Sequence, residues 1–517
     1  MNRWIIGLAS LLTLCKVAVV QAQSPRLVVM ITVEELRSDL LEELQDEMGE
    51  DGLRLLLQKG RQYTEVQHPL IYSNPTASEA IIHTGTTAQE NNIAERNPDK
   101  RDRATGRRVP TNSVFEDKNF LGYATTGNYS PYALSCPTLS DGLKKATEGR
   151  ALVFSIAPNA EEAIIGAGVY GDGAYWIDTY TGRWASSTYY KGDFPWYINK
   201  KNSGADALTE RLSKGIKWAP ESKPTALLAL QKESPFSHIF QRTSSGISDF
   251  KESPLVNEEI VLLAKQVIES SGIGQDDVPD FLSLHLTLGN GNRTASDISN
   301  ETIDSYLRLD RTIARLLSYL DLKNTLVVLT GNAIAKDYAP SAVDDKRIFR
   351  GDRCQALINM YLHAEYGVQG LIEEVTPDGA IYLNRDLISA DAQLSQKEIE
   401  SAVARFMTEV SGVSYAIESH KLVSGAIANS HNRDWQTALN RHARGNSPDV
   451  VFDILPSWVA QDLSNVRGVV SYRMVATPTV CVLYHPSIPS ERITTPLDLR
   501  DISKKIAWAL RIRPPTP

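Results

Sequence analysis

The chain has 517 residues and a formal net charge of -8, from 62 acidic and 54 basic side chains that are mixed along its length. Because no basic block stands out, the composition argues against a nucleic-acid-binding surface. The hydrophobic fraction of 42% is that of an ordinary globular protein. By itself the length leaves open whether there is one large α/β core or several domains.

The first 22 residues have the pattern of a secretory signal peptide. Arg3 precedes the apolar run Trp4 to Cys15, and the stretch from Val20 to Ala22 offers small residues for cleavage. This run is shorter than the ~20 apolar residues that a membrane-spanning helix needs. We therefore expect export, cleavage near Ala22, and a mature chain, residues 23–517, in the periplasm or cell envelope without a membrane span of its own.

The cysteines give two weaker indications. Cys15 resembles the cysteine of a lipoprotein box, but a bulky Leu14 precedes it, so lipidation is only a minor alternative. The mature chain keeps Cys136, Cys354 and Cys481, an odd number without close spacing. This argues against a disulfide framework and leaves one pair plus a free thiol open.

Short apolar runs alternate with segments of helical periodicity along the mature chain. The runs are typical of strands buried on both faces. The predicted strands are Arg26–Thr32, Asp280–Leu286, Thr325–Thr330, Asp449–Ile454 and Pro478–Tyr484, and the predicted helices are Leu36–Lys59, Ile303–Leu320 and Leu497–Leu510. This alternation predicts an α/β fold with a doubly wound, mostly parallel central sheet and helices on both faces.

Two segments depart from that alternation. Residues 338–446 are irregular and are predicted to form a cap inserted outside the central sheet. The segment Val169 to Tyr197 is rich in tyrosine and tryptophan. We expect most of these rings to pack a large loop onto the sheet, and a stacking surface for sugars or bases is the alternative.

Five phrases, in order, resemble the alkaline-phosphatase superfamily, in particular its branch of nucleotide pyrophosphatases/phosphodiesterases and phosphate-irrepressible alkaline phosphatases. They are LVVMITVEELRSDLL from Leu27, HTGTTAQENNI from His83, GDGAYWID with SSTYY from Gly171, SYLRLDRTIARLLSYLD from Ser305, and SPDVVFDILPSWV from Ser447. The resemblance implies a ligand site at the carboxyl ends of the strands. It also implies a paired-zinc phosphotransfer site with a threonine nucleophile.

Aligned on these phrases, the nucleophile is missing. Glu34 stands where the family has its first metal-binding aspartate, so a carboxylate survives there. The nucleophile position is Pro75, which has no hydroxyl, and the family's histidine four residues later is Glu79. Thr76 is a weak candidate for a displaced nucleophile, because a shift of one residue at a tight turn redirects the side chain.

The remaining metal positions are also changed. An aspartate and a histidine are implied near Gly289 and Arg293, or near Asn290 if the alignment slips. A second aspartate and histidine are replaced by Asn332 and Ala333. Residues 468–478 lack the last histidine, and His485, past that position, is the best remaining metal candidate.

The phosphate clamp is altered as well. In this branch a lysine and an arginine follow the strand that corresponds to residues 151–156, and here Ala157 and Asn159 occupy their positions. Neither residue carries a cation. Joint loss of nucleophile, ligands and clamp predicts a degenerate site.

The main hypothesis is therefore an exported pseudoenzyme that holds no cofactor and has a binding or structural role with an unknown envelope protein or ligand. One alternative is a zinc-dependent phosphomonoesterase or phosphodiesterase with a rearranged site built from Glu34, Glu35, Thr76, Glu79 and Asn332. Another is a binding module that uses the old cleft for a glycan, lipid or peptide. Fold resemblance does not decide among them.

Overall fold

The structure is a computed structural model, which describes residues 24–70, 75–102, 107–190, 193–220, 236–289, 299–332, 334–338, 347–424, 432–443, 445, 447–463, 469–477 and 479–516. Its strands are β1 (Leu27–Glu34), β2 (Arg61–Gln67), β3 (Lys100–Arg101), β4 (Arg108–Val109), β5 (Gly122–Tyr123), β6 (Val153–Ile156), β7 (Gly173–Ile177), β8 (Trp184–Ser187), β9 (Ile216–Trp218), β10 (His238–Phe240), β11 (Asp280–Thr287), β12 (Thr325–Gly331), β13 (Ile334–Tyr338), β14 (Ile348–Arg350), β15 (Ile372–Val375), β16 (Ala380–Leu383), β17 (Val413–Glu418), β18 (Val450–Ile454), β19 (Val459–Asp462), β20 (Val470–Ala476), β21 (Thr479–Tyr484), β22 (Glu491–Ile493) and β23 (Leu497–Asp498).

The helices alternate with these strands over most of the chain. They are Ser38–Leu44, Leu53–Lys59, Pro75–Thr84, Ala88–Asn91, Leu139–Ala146, Ala160–Ala167, Trp196–Lys201, Leu208–Lys214, Ser244–Lys251, Val256–Ser271, Asn300–Leu317, Gly351–Tyr366, Arg385–Ala390, Gln396–Thr408, Ser419–Val423, Arg433–Arg441 and Ile502–Leu510. Short 3₁₀ turns lie at Gln45–Glu47, Pro131–Ala133 and Leu499–Asp501.

The central sheet runs β22-β2-β21-β12-β1-β11-β6-β7-β8-β5, with β23 also paired to β2. Its middle, from β12 to β7, is parallel, and β21 and β8 add antiparallel neighbours on either side. The predicted α/β class with a mostly parallel sheet is thus confirmed. Parallel strands place all their carboxyl ends at one edge of the sheet, and ligand sites form at that edge.

Strand β1 shows why the sheet is buried on both faces. Alternate side chains of a strand point to opposite faces. Leu27, Val29, Ile31 and Val33 belong to one apolar cluster, while Val28 and Met30 belong to another on the opposite face. Helices cover both clusters. The near-continuous apolar run in the sequence is the consequence of this double cover.

The predicted helix over residues 36–59 is interrupted. Its first part ends in a 3₁₀ turn at Gln45–Glu47, and a new helix begins at Leu53. Asp310 fixes this second start, because its carboxylate accepts hydrogen bonds from the N–H groups of Gly49 (2.8 Å) and Leu53 (2.7 Å). A Cβ at Gly52 would lie 2.4 Å from the Asp310 carbonyl oxygen, so glycine permits this close approach.

The prediction that residues 449–454 form a strand of the central sheet is wrong. That strand, β18, pairs antiparallel with β16 and β17 in a separate four-stranded sheet of order β15-β16-β18-β17. A second such sheet has the order β13-β20-β19-β14. All strands from β13 to β20 therefore lie outside the central sheet. A buried strand has the same apolar pattern in either sheet, so the pattern could not decide between them.

Two further features concern the chain as a whole. None of the described helices is long and apolar enough to cross a membrane. Cys136, Cys354 and Cys481 are buried, and no disulfide links these three described cysteines. The first 22 residues, including Cys15 and Ala22, lie outside the described residues.

Candidate functional site

Three of the predicted site positions meet at the carboxyl ends of β1, β11 and β12. Asn332 follows β12, and its Oδ1 accepts a hydrogen bond of 2.7 Å from the N–H of Glu35, next to Glu34. Gly289 follows β11, whose last residue pairs with Glu34 in the strand register. The structure therefore brings Glu34, Gly289 and Asn332 together at one edge of the sheet. Asn290, Arg293 and Ala333 lie outside the described residues.

These three positions offer little to a divalent ion. The amide oxygen of Asn332 is already engaged by the backbone, and Gly289 has no side chain. A Cβ at Gly289 would lie 2.7 Å from the carbonyl oxygen of Glu252, so the backbone fills the space that a ligand side chain would need. Glu34 keeps its carboxylate, but burial raises its pKa against the opposing charges of His285 and Arg96. Its carboxyl group is thus held closer to its neutral form than in water.

The nucleophile position lies at the start of the helix Pro75–Thr84. Pro75 is its first residue, where the fixed φ of proline fits a helix start. Thr76 is fully buried, and its hydroxyl donates a 2.5 Å hydrogen bond to Oε1 of Glu162. Nε of Arg96 donates to the same hydroxyl at 3.3 Å. The Thr76 hydroxyl is thus bound within the protein and is not presented to the cleft.

Glu79, on the same helix, is the centre of a buried polar network beneath the site. Nδ1 of His285 lies 3.1 Å from one carboxylate oxygen of Glu79, and Nε2 of His83 lies 3.0 Å from the other. The hydroxyl of Thr32 donates to Glu79 at 3.1 Å. All of these side chains are buried. Strands β1 and β11 place Thr32 and His285 side by side, directly under the helix.

Charge stabilises this network. Burial alone would lower the pKa of His285, but the charge and hydrogen bond of Glu79 raise it to about 9. Burial alone would raise the pKa of Glu79, but His285 and His83 lower it to about 2. At neutral pH the two residues therefore form an imidazolium–carboxylate pair in the core. His83 and His285 are thus hydrogen-bonded residues of the core.

A second charged cluster, at the start of the helix Ala160–Ala167, was not foreseen from the sequence. Nη2 of Arg96 donates to Oε1 of Glu162 at 2.9 Å, and Nε lies 3.8 Å from Glu161. Both glutamates are buried, whereas a third of the Arg96 side chain is exposed. Burial raises the pKa of Glu161 even though Arg96 opposes it. In Glu162, burial is outweighed by Arg96 and His285, which lower the pKa. Acidic residues in a first helical turn ordinarily interact favourably with the helix dipole at the surface, so their positions did not indicate burial.

The two clamp positions lie beside this cluster. Ala157 is fully buried after β6. Asn159 precedes the helix, and its side chain makes no capping hydrogen bond. Asn159 lines a partly open polar cavity of about 780 Å³ at the carboxyl ends of β6 and β7. Arg96, Glu161 and Lys251 line the same cavity.

The aromatic segment divides into two groups. Tyr175, Trp176, Trp184, Tyr190 and Tyr197 are buried and pack the segment onto the sheet, as the sequence predicted. By contrast, Tyr170, Tyr180 and Trp196 are between 64% and 72% exposed. Of the segment, Trp176 and Tyr180 line the cavity. Only a minority of the aromatic side chains in this segment are therefore exposed for contact with a ligand.

The residues present do not fit a pair of zinc ions. No three His, Cys, Asp or Glu side chains among the described residues are grouped so as to hold a metal ion. Nε2 of His285 is buried without a hydrogen-bond partner in the described part of the chain, as a metal-binding nitrogen would be. However, its pKa of about 9 keeps it protonated, and metal ligands must be deprotonated. His485 instead contacts Ser487, with 2.7 Å between Nδ1 and Oγ.

No protein-family profile matches the chain, but individual proteins are similar to it over most of its length. The chain is 27% identical over 446 residues to a protein of Myroides odoratus named calcium-transporting ATPase, covering 78% of this chain and 77% of the relative. It is 25% identical over 434 residues to alkaline phosphatase PafA of Elizabethkingia meningoseptica, with the same coverage. A crystal structure of a four-substitution variant of PafA superposes with a TM-score of 0.77 at 21% identity, covering 95% of this chain and 97% of that one. The chain belongs to the alkaline-phosphatase superfamily.

Proposed function

We propose that this member of the superfamily is an exported pseudoenzyme that does not hydrolyse phosphate esters and acts in the cell envelope by binding a ligand. The observation that carries the proposal is Pro75 at the position of the nucleophile. A proline has no hydroxyl with which to attack phosphorus. Export is inferred from the first 22 residues, which have the pattern of a signal peptide.

The charges around the site support the proposal. Phosphoryl transfer depends on positive groups placed around the transferring oxygens, usually metal ions with Lys or Arg. Two positive groups of the described residues near the site, Arg96 and His285, are each bound to a buried glutamate, Glu162 and Glu79 respectively. Their charge is neutralised within the protein. Little of it remains to stabilise a phosphoryl group.

The contacts of Thr76 argue against a displaced nucleophile. Its bond to Glu162 has the geometry of a hydroxyl beside a general base. Arg96, however, binds the same carboxylate oxygen and lowers the basicity of Glu162. Thr76 is also fully buried, so a substrate could not reach it without movement of the helix. The rearranged hydrolase is therefore the weaker hypothesis.

The experiment is a metal analysis combined with two activity assays. Protein purified without chelators would be tested for bound zinc by mass spectrometry. It would then be assayed with 4-nitrophenyl phosphate and bis(4-nitrophenyl) phosphate in the presence of Zn²⁺, Mg²⁺, Mn²⁺ or Ca²⁺. We expect no stoichiometric zinc and no turnover above background. Pro75→Thr should gain no activity, because the ligands at Gly289 and Asn332 remain absent.

One outcome would contradict the pseudoenzyme proposal. Metal-dependent turnover that Thr76→Ala abolishes would establish the rearranged hydrolase and end the pseudoenzyme proposal. Thr408→Ala is the matched control, because Thr408 is exposed and its hydroxyl bonds only the carbonyl of Arg405 in its own helix. Turnover that persists unchanged in both variants would belong to a contaminating phosphatase or to a site that does not use Thr76, and repeating the assay after a further purification step would distinguish the two.

A further inference from the structure

The cavity at the ends of β6 and β7 has a rigid aromatic wall. The ring of Tyr129 stands edge-on against buried Trp176, with 5.4 Å between ring centroids and 84° between planes. A Cβ at Gly127 would lie 2.2 Å from the hydroxyl oxygen of Tyr129, so glycine makes room for this ring. A ring held in this way contributes contact area to a ligand at little cost in conformational entropy.

Tyr180 stands at the rim of the same cavity on a tightly fixed turn. Its side chain is 72% exposed, yet its backbone is held. The carboxylate of Asp178 accepts hydrogen bonds from the N–H groups of Tyr180 (3.1 Å) and Thr181 (2.7 Å) and from the hydroxyl of Thr125 (2.6 Å). An exposed aromatic ring on an ordered turn beside a cavity is typical of a preorganised binding surface.

Neutral polar groups complete the lining. The amide of Asn159 and the hydroxyls of Ser248 and Thr126 make no side-chain hydrogen bonds within the described parts of the chain. Lys251 donates to the hydroxyl of Thr179 at 2.7 Å. The amide and hydroxyl groups can donate and accept hydrogen bonds, whereas the Lys251 ammonium only donates, and together they line a space of about 780 Å³. That volume is within the usual range for small-molecule sites.

The charges of the lining disfavour an anion. Four acidic residues, Glu116, Glu161, Asp178 and Glu252, face three basic residues, Arg96, Lys118 and Lys251. Arg96 is bound to Glu162, and burial together with the charge of Arg96 lowers the pKa of Lys251 to about 8. A phosphate or carboxylate ligand would thus meet more negative than free positive charge. A neutral ligand with many hydroxyl groups meets no such barrier.

We propose that this cavity binds a short neutral oligosaccharide, with its sugar rings against Tyr129 and Tyr180 and its hydroxyl groups bonded to Asn159 and Ser248. This inference rests on the binding role in the proposed function and gives it a ligand class. It does not depend on the loss of hydrolysis, since the residues that line the cavity do not include Pro75.

The test is calorimetric titration of the full mature chain with cellobiose, chitobiose, maltotriose and laminaritriose, alongside inorganic phosphate and a mixed peptide library. We expect at least one neutral saccharide to bind. Tyr180→Ala and Asn159→Ala should each weaken that binding by about tenfold or more. Tyr170→Ala is the matched control, because Tyr170 is equally exposed in the same segment and does not line the cavity.

The outcomes separate this proposal from the previous one. Binding of phosphate or peptide alone, no saccharide binding at millimolar concentration, or equal effects of Tyr170→Ala and Tyr180→Ala would each overturn the oligosaccharide site. The melting temperature of each variant shows whether it is folded. Thr126→Trp, at an exposed position of the lining, narrows the cavity and should also weaken saccharide binding. The aryl phosphate assay decides the question of hydrolysis separately.

Discussion

The buried network around Glu79 and the cavity beside Asn159 lie on the same sheet but use their polar groups in opposite ways. In the network, Glu79, His285, His83 and Thr32 bond to one another and are shielded from water. In the cavity, the amide of Asn159 and the hydroxyls of Thr126 and Ser248 line a space open to solvent and make no side-chain hydrogen bonds to the described residues. The first arrangement can stabilise the fold, and the second can bind a ligand. Substitutions in the two regions should therefore affect different measurements.

The largest effect is expected for the ion pair in the core. His285→Gln removes the imidazolium and leaves the buried Glu79 carboxylate with Thr32 and His83 as hydrogen-bond partners. Breaking a buried pair from one side typically costs about 3–5 kcal/mol of unfolding free energy. Urea denaturation of the variant should show this loss. His363→Gln, at an exposed histidine, should stay within about 0.5 kcal/mol of the wild type.

The double substitution Glu79→Gln with His285→Gln sharpens this test. Neither side chain is then charged, so the double variant should lose less stability than the two single losses added together. Additive losses would mean that the two residues are not coupled, and the ion-pair description of the network would fail.

The next effect is in the pH dependence of stability. The pKa of His285 is raised to about 9 from 6.5, so its contribution is fully present below pH 6.5 and is lost as the pH rises through 9. The pKa of Glu79 is lowered to about 2 from 4.5, so its contribution is fully present above pH 4.5 and is lost as the pH falls through 2. The stability difference between wild type and His285→Gln should thus be greatest between pH 4.5 and 6.5.

Urea midpoints for both proteins, measured from about pH 3 to about pH 10, test this window. Other titrating groups cancel in the difference between the two proteins. At alkaline pH the shift corresponds to a loss of up to about 3 kcal/mol. A difference that stays constant from neutral to alkaline pH would show that His285 is not charged in the folded protein.

A smaller loss of unfolding free energy is expected for substitution of Arg96, which lies between the Glu79 network and the cavity. Arg96→Ala removes the charged partner of buried Glu162 and one neighbour of the cavity. Because a third of the Arg96 side chain is exposed, water can partly replace it, and we expect a loss of about 2 kcal/mol by urea denaturation. Arg492→Ala, at an exposed surface pair with Glu42, is the control and should be near neutral. Equal losses of unfolding free energy in the two variants would show that the Arg96–Glu162 pair contributes no more to stability than an exposed surface pair.

Several features of the protein could be predicted from the sequence because they depend on local pattern. The apolar run of β1 predicted a doubly covered strand, and the alternation of runs and periodic segments predicted the parallel sheet. The meeting of Glu34, Gly289 and Asn332 followed from strand order, since carboxyl ends of parallel strands share an edge. Degeneracy at Pro75, Ala157 and Asn159 is a matter of residue identity and stays a prediction about function until it is measured.

Other features were decided only by the tertiary structure. The strand Val450–Ile454 lies in a separate sheet because its partners are β16 and β17. The apolar pattern of a buried strand does not indicate which strands pair with it. Glu79 and His285 form a hydrogen bond although they are 206 residues apart in the chain. The sequence around either residue therefore does not predict the other as its partner. Burial and neighbouring charge set the protonation of both groups, and both depend on which segments the fold brings together.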